Sequence, residues 1–257
     1  MLAGQALALA GREPDVVALQ EVTKGTLELW RAAFETIGLP HVACSLDTAD
    51  PEREPKGRRA TGVLIAARAP LAPADPPLDP PWTEVALART TDHVRVDAVH
   101  VPNAANGWTK VQTLQAIRSG VENDAGERPR VVCGDFNIPR REHPDGTVVS
   151  FARESKERLR PERGAEWDEA ELGVVPGLRD FGYADAFRTV HGYARREPSW
   201  TFRRMAGHDG GWRIDHLFAS AALRVTASQY HHAWRDDDLS DHAALEADVE
   251  LTEPPRP

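Results

Sequence analysis

Val131-Val132-Cys133-Gly134-Asp135-Phe136-Asn137 reads as a buried strand that ends in a polar lip. Asp135 and Asn137 stand two residues apart, so the period-two geometry of a strand points both side chains the same way. A carboxylate beside a neutral amide at a sheet edge suits a site that activates water and holds an anionic oxygen. Asp and Asn after a strand also make ordinary turns, and this stretch alone leaves both readings open. Its weight comes from four other segments that carry acidic, amide or histidine side chains at or near strand ends.

Working outward, helical periodicity opens the chain over 2–10. Val16-Val17-Ala18-Leu19 is a buried strand ending in Gln20-Glu21, and 23–37 is a second helix stopped by Gly38. Strands are predicted at 42–46 and 61–67, then a proline-rich extended connection at 70–81, then two hairpin-like strands around 83–89 and 93–101. Residues 108–121 read as a helix leading into the opening strand. Residues 140–175 are highly charged with sparse apolar positions, and are expected to form a surface insertion with a helix. Further strands are predicted at 199–203, 212–219, 223–230 and 243–251. Strands and helices alternate early and strands dominate late. That pattern predicts an α/β fold of sheet on sheet with helices on the outer faces, in one domain spanning 1–257.

The 257 residues support a sizeable core, and 41% hydrophobic with 28% charged residues is the balance of a soluble globular protein. No apolar run approaches the roughly 20 residues that span a bilayer, so no membrane association is expected. The apolar N-terminal stretch has no basic residues ahead of it, which argues against a secretory signal. Cys44 and Cys133 are too few for a disulfide framework or a zinc cluster, and a cytoplasmic monomer is expected. A net charge of −9 argues against a protein that coats nucleic acid through a broad basic surface. It leaves room for an enzyme of phosphodiesters whose clustered carboxylates hold metal.

The polar residues at strand ends form a constellation. Glu21 follows one buried strand, His100 and Asn103 follow another, and Asp135 and Asn137 come third. Asp215 sits in Arg213-Ile214-Asp215-His216, and Asp241-His242 precede the last strand. Each has a local reading: Glu21 as a helix cap, Asn103 as a turn residue, Asp215 as a partner of Arg213, Asp241 as an Asx-turn. Together they suit metal-assisted hydrolysis of a phosphate ester. Mg²⁺ takes hard oxygen ligands, often one or two carboxylates with water and substrate oxygens; Glu21 is the best ligand candidate, with Asp241 in support. Asp135 is the natural base, and Asn137 orients the water or donates to a phosphoryl oxygen. His242, held by Asp215, meets the charge developing on phosphorus as an imidazolium. Asp241 and His242 are adjacent, so both reach one site only where the chain turns, as Asp236-Asp237-Asp238 permits. Trp200 and Trp212 either pack in the core or stack on a base and fill an abasic pocket.

The ordered motifs Asp15-Val16-Val17-Ala18-Leu19-Gln20-Glu21-Val22, Gly134-Asp135-Phe136-Asn137, Ser199-Trp200-Thr201, Trp212-Arg213-Ile214-Asp215 and Ser240-Asp241-His242 resemble those of the endonuclease/exonuclease/phosphatase superfamily. The resemblance implies a four-layer α/β sandwich of two mainly antiparallel sheets, with Mg²⁺ or Mn²⁺ at one edge. It implies Glu21 as a metal ligand, Asp135 as the residue that positions or deprotonates the attacking water, and Asn137 on the scissile phosphate. It further implies Asp215 orienting His242, with Asp241 beside the metal. His100-Val101-Pro102-Asn103, Gly107-Trp108-Thr109-Lys110, Pro139-Arg140-Arg141-Glu142 and Asp185-Ala186-Phe187-Arg188 are similar to the exonuclease III and abasic-site endonuclease branch. That branch commonly has Tyr in place of His100 and of His216, and a His at the first place is common among phosphatases and small phosphodiesterases. The resemblance also implies a strand with a metal-binding Asn ahead of the helix at 2–10. No Asn precedes Asn103, so the N-terminal strand is missing from the sequence as written, and an in-frame strand upstream of Met1 is expected.

A nuclease acting on DNA is therefore the lead expectation, favoured by Asn103, Lys110, the Arg140-Arg141 pair, Trp200 and Trp212. A phosphatase or phosphodiesterase of a small phosphorylated metabolite or lipid head group is the runner-up, toward which the acidic charge leans. The contrasting expectation is a catalytically impaired binding module.

Overall fold

The strand Thr61–Ala67 is buried on both faces, and its alternation divides the core. Val63 and Ile65 pack with Leu87, Val96 and Ala98 of a second sheet. Leu64 and Ala66, pointing the other way, pack with Leu27, Trp30 and Phe34 of the helix Lys24–Thr36. Sheet on sheet with helices outside follows from that alternation.

The structure is a computed structural model whose described residues are 1–57, 59–124, 126–201 and 210–252. In chain order the elements are α1 (Leu2–Ala10), β1 (Val16–Thr23), α2 (Lys24–Thr36), β2 (His41–Cys44), β3 (Thr61–Ala67), β4 (Ala72–Pro73), β5 (Ala86–Thr90), β6 (Arg95–His100), α3 (Trp108–Glu122) and β7 (Arg130–Asp135). There follow β8 (Arg141–Glu142), β9 (Val148–Val149), α4 (Gly164–Leu172), β10 (Tyr183–Asp185), α5 (Ala186–His191), β11 (Trp200–Thr201), β12 (Gly211–Trp212), β13 (Asp215–Ser220), β14 (Leu223–His231), α6 (His232–Asp236) and β15 (Ala244–Leu251). The strand expected at 199–203 is described only as β11, since 202 and 203 lie outside the described residues. The one expected at 212–219 divides into β12 and β13. No helix among the described residues is long and apolar enough to cross a membrane.

One sheet has six strands in the order β10-β13-β7-β6-β5-β4, antiparallel except for β6 and β7. That parallel step needs a crossover, and α3 supplies it. α3 covers the outer face, burying Val111, Leu114, Ile117 and Val121 against Val99, Val132 and Phe136. The opposite layer is in two pieces: a three-stranded sheet β1-β3-β2 and a ribbon β14-β15. The ribbon packs Leu223, Val225 and Val249 on Val131 and Ala219 of the six-stranded sheet. Helix α1 and the turn after it reach the second piece, Gln5 of α1 donating to the carbonyl of Leu239 at 2.6 Å and Arg12, beyond the helix, to Glu246 at 2.7 Å. This is the four-layer α/β sandwich that the motifs imply, its first described element being α1.

Segment 140–175 departs from the expected surface insertion. Ala152, Trp167, Ala170, Val174 and Val175 are buried in the same cluster as α3. Its apolar residues are few but well placed, and its buried charges are paired, Asp168 with Arg153 and Glu171 with Lys110. Charge density therefore hid a core segment.

Candidate active site

His100, Asp135 and Asp215 occupy one row across the six-stranded sheet. His100 is the register partner of Asp135 in β6–β7, and Asp215 is its partner in β13–β7. Gly134 makes the approach of β6 possible: its φ is +136°, and a Cβ there would sit 2.0 Å from the carbonyl oxygen of Val99. Beyond β7 the chain turns. Asn137 adopts φ +53°, its N–H donates to Asp135 Oδ1 at 2.8 Å, and its side-chain amide donates to Asp135 Oδ2 at 3.1 Å and to the Val101 carbonyl at 2.9 Å. The turn reading and the site reading of this stretch are thus both realised, because the Asx-type turn itself fixes the carboxylate.

Asp215 receives His242, Nδ1 to Oδ2 at 2.8 Å. Several contacts hold this pair. Ser199 Oγ accepts from the N–H groups of Ile214 and Asp215, Tyr230 donates its hydroxyl to the Asp215 carbonyl, and Ala243 N–H bonds to Ser199. Asp238 at φ +55° supplies the turn expected ahead of Asp241-His242. Asp135, Asp215 and His242 offer ligand-type atoms that all lie within 4.8 Å of one another.

Burial, then the neighbouring charge of Asp215, pushes the Asp135 carboxyl well above the ordinary carboxylate range, against the opposing pull of His242. For His242 burial favours the neutral ring, but the hydrogen bond and charge of Asp215, with Asp135 and Asp241 behind it, raise it to about 9. The pair is set for a protonated imidazole beside a reluctant carboxylate.

Glu21 enters from the other layer. It sits where the β1–β3 register shifts, at φ +58°, so the irregularity turns its side chain out of the strand and leaves it 73% exposed. His100 Nε2 lies 3.8 Å from Glu21 and 3.8 Å from Asp135. Glu21 and His100 line a cavity of about 80 Å³ with Arg59, Trp82 and Asn103, whereas Asp241 is exposed and lines a separate one with Thr201, Arg235, Asp236 and Asp238. The structure therefore brings Glu21, His100 and Asp135 together on one side, Asp215 and His242 with Asp135 on the other, and sets Asp241 at the margin.

The donor chemistry fits a hard divalent cation. His242 is an unsuitable ligand, since its Nδ1 is engaged with Asp215, whose charge favours the protonated ring. Glu21 and Asp135 flank one imidazole nitrogen, and the charge of Glu21 adds to what disfavours ionised Asp135. A cation beside these oxygens offsets that repulsion.

Other expected residues have local duties. Asn103 accepts from Ala105 N–H and from the Asn106 amide, both at 3.1 Å, capping a short turn at the cavity mouth. Trp200 and Trp212 stack on each other at 5.2 Å and 10°, with Phe151 edge-on to Trp212; both remain half-buried, so packing is their first role. Lys110 is fully buried, which removes it from any direct contact with nucleic acid, and Arg141 pairs with Glu157. Sequence reasoning missed the buried network under the site, in which Glu142 binds Arg213 and Arg188 while Asp185 binds Arg213 and His216. Its signal lies in Asp185-Ala186-Phe187-Arg188 and in Arg213-Ile214-Asp215-His216, although Arg213 pairs with Glu142 and Asp185 rather than with the neighbouring Asp215 that local spacing suggests.

The sequence profile described as "Endonuclease/Exonuclease/phosphatase family" matches residues 4–242. An exodeoxyribonuclease of Bacillus subtilis (strain 168) is 24% identical over 168 residues, covering 62% of this chain and 62% of that protein, so the match spans less than two thirds of the relative's length. Among solved structures, a 3′–5′ exonuclease from Neisseria meningitidis superposes with a TM-score of 0.66 at 25% identity, covering 97% of this chain and 94% of that one. An AP endonuclease from Archaeoglobus fulgidus gives 0.68 at 20% identity, with 96% and 93% covered, and speaks for the fold alone.

Proposed function

The chain belongs to the endonuclease/exonuclease/phosphatase family, and we propose that it is a divalent-metal-dependent hydrolase of phosphodiesters acting on DNA. The observation that carries the reading is the row of His100, Asp135 and Asp215 with His242 docked on Asp215 at 2.8 Å. Asp135 accepts the proton of the attacking water. Asn137 keeps the Asp135 carboxylate aimed, through the two bonds described above, and borders the phosphate. Asp215 holds His242 as an imidazolium facing the charge that builds on the phosphoryl oxygens. Glu21, facing Asp135 across His100, is the residue that would hold Mg²⁺ or Mn²⁺, with Asp241 at the margin of the site. When bound, such an ion polarises the phosphate and offsets the negative charge of the carboxylates. His100 sits between Glu21 and Asp135 and fixes their separation. DNA is preferred as substrate because the exodeoxyribonuclease and the 3′–5′ exonuclease are the relatives in view.

The test is an assay with and without Mg²⁺ on an abasic-site duplex, on plain duplex and single-stranded DNA, and on bis-p-nitrophenyl phosphate. Metal-dependent cleavage of DNA, lost in Asp135→Asn and His242→Ala, is the expected result. Turnover of the small diester without any DNA cleavage would move the substrate to small phosphoesters. No metal-dependent hydrolysis of any of the four sinks the reading.

A further inference from the structure

Lys110 is 0% exposed, yet it ends in an amine, which burial pulls below the ordinary lysine range against the opposing charge of Glu171. Its Nζ donates to the backbone carbonyl of Asn137 at 3.0 Å and to Glu171 Oε1 at 2.8 Å, with the Phe151 ring 5.0 Å away and that of Trp167 at 5.9 Å. Glu171, on α4, is itself anchored by the N–H of Phe151 at 2.6 Å and the indole N–H of Trp167 at 2.7 Å. We propose that Lys110 is a positioning residue, holding the catalytic loop by the carbonyl of Asn137, and that segment 140–175 fixes it from behind through Glu171. The inference rests on the phosphoesterase reading above for its functional consequence, and on geometry alone for the clamp.

Two charges taken out of water recover little net stability, and an apolar pair of the same volume serves a core as well or better. An apolar pair cannot donate to a carbonyl, and a carbonyl buried without a donor is costly. Asn137 needs such an anchor. It stands in the left-handed region at φ +53°, and three of its groups are committed: N–H and amide to Asp135 and Val101, carbonyl to Lys110. Release of the carbonyl frees the Asn137–Ile138 peptide and removes one restraint on the left-handed Asn137 backbone, whose conformation aims both donors at Asp135. The next carbonyl, that of Ile138, has its own donor in His216 Nε2 at 2.8 Å. Loss of Lys110 therefore loosens Asn137 in particular.

The experiment compares Lys110→Met with Val174→Ala, a truncation in the same core cluster that removes none of the side-chain groups of the clamp. Lys110→Met/Glu171→Gln serves as a second variant in which no lone charge is left buried, should the single change fail to fold. Steady-state kinetics on the substrate cleaved by the wild type are read together with the NMR resonances of the Asn137 backbone and side-chain amides. The expected result is a fall in kcat of about 10- to 100-fold with KM changed less than about threefold, as for small misplacements of a reacting group. The Asn137 amides move, while Val174→Ala loses a similar amount in Tm and keeps its kcat within about twofold. A folded Lys110 variant with wild-type kcat, or a kcat loss that Val174→Ala reproduces at equal Tm, overturns the proposal. If the wild type cleaves no phosphoester, the functional reading fails separately. Displaced Asn137 amides then still uphold the clamp, and unmoved ones overturn it.

Discussion

The two β layers differ in how their strands are supported. The six-stranded sheet is continuous, with β7 and β6 at its centre and helices on its outer face. The opposite layer comes in two pieces, and among the described residues β1 pairs only with β3 and β15 only with β14. The site straddles this divide. His100, Asp135 and Asp215 belong to the continuous sheet, whereas Glu21 belongs to β1, and Asp241 and His242 to the approach to β15. Proton-handling groups thus stand mostly on a rigid frame, and the proposed metal ligands on a layer with unpaired edges. The lesson is that the proposed metal affinity and the proposed acid–base chemistry are expected to break separately.

The largest effect expected from that separation is kinetic. Asp135→Asn lowers kcat by about 10²- to 10⁴-fold, the worth of a positioned base, and added Mg²⁺ does not restore it. Glu21→Gln raises the half-activating metal concentration by at least about 10-fold, the loss that even outer-sphere changes cause, and excess metal recovers most of its rate. Metal titrations of both variants separate the two. Equal rescue, or none, of both variants by metal would mean the layers do not divide the labour.

Stability should divide the same way. Phe218 on β13 is 2% exposed and packs edge-on to Phe136. Its truncation to Ala is expected to cost about 3–5 kcal/mol in urea unfolding, as for buried aromatic residues generally. Val249→Ala on the half-exposed ribbon is expected to cost about 1 kcal/mol. Equal losses would show that the ribbon is as well packed as the continuous sheet.

How far this was legible from the chain depends on what kind of interaction carries each feature. Alternation in Val63-Leu64-Ile65-Ala66 and helical spacing in Leu27, Trp30 and Phe34 announce both faces of a buried strand and its covering helix, because burial of apolar surface is periodic. Asp135, Asn137, Asp215 and His242 were legible because motif order places them at strand ends, and register then aligns them. Lys110 and Glu171 were not, since a Lys near the start of a helix and a Glu in a charged run look solvated until the partners are seen. Carboxylate chemistry puts Asp241 in support of Glu21, but the structure sets the two in different cavities. The division of the second layer is a matter of which strands find partners, a long-range fact that no local pattern encodes.

Two carboxylates extend the comparison to acid. Glu142 lies in the buried network beside the continuous sheet; burial works against its charge, but Arg213 and Arg188 hold it down at about 2. A carboxyl depressed in the folded state contributes stability above its ordinary value of 4.5, and the contribution is lost as pH falls from there through about 2. The loss expected between pH 5 and 2 is about 3 kcal/mol from this group. A side-chain NMR titration of Glu142 with its midpoint near 4.5 removes the claim. Glu246, on the ribbon, is also lowered to about 2, chiefly by Arg12, but its side chain is 27% exposed. Solvent and salt screen that pair, so its share of the acid response is small and fades in about 0.5 M NaCl.

Arg12 gives the smallest effect and the most direct view of the divide. Its guanidinium makes two 2.7 Å bonds to Glu246, one of the few contacts that join the α1 end of the molecule to β15. An exposed pair of this kind contributes little to global stability, so Arg12→Ala is expected to leave Tm within about 1 °C of wild type. Its consequence is local. Removing the tie lets β15 open without unfolding the rest, and the amides of residues 244–251 should exchange about two- to fivefold faster in hydrogen–deuterium exchange, with those of β6 and β7 unchanged. Acceleration shared by β6 and β7 would mean the two layers open as one unit, and the contrast between the continuous sheet and the divided layer that carries Glu21 would then have no dynamic counterpart.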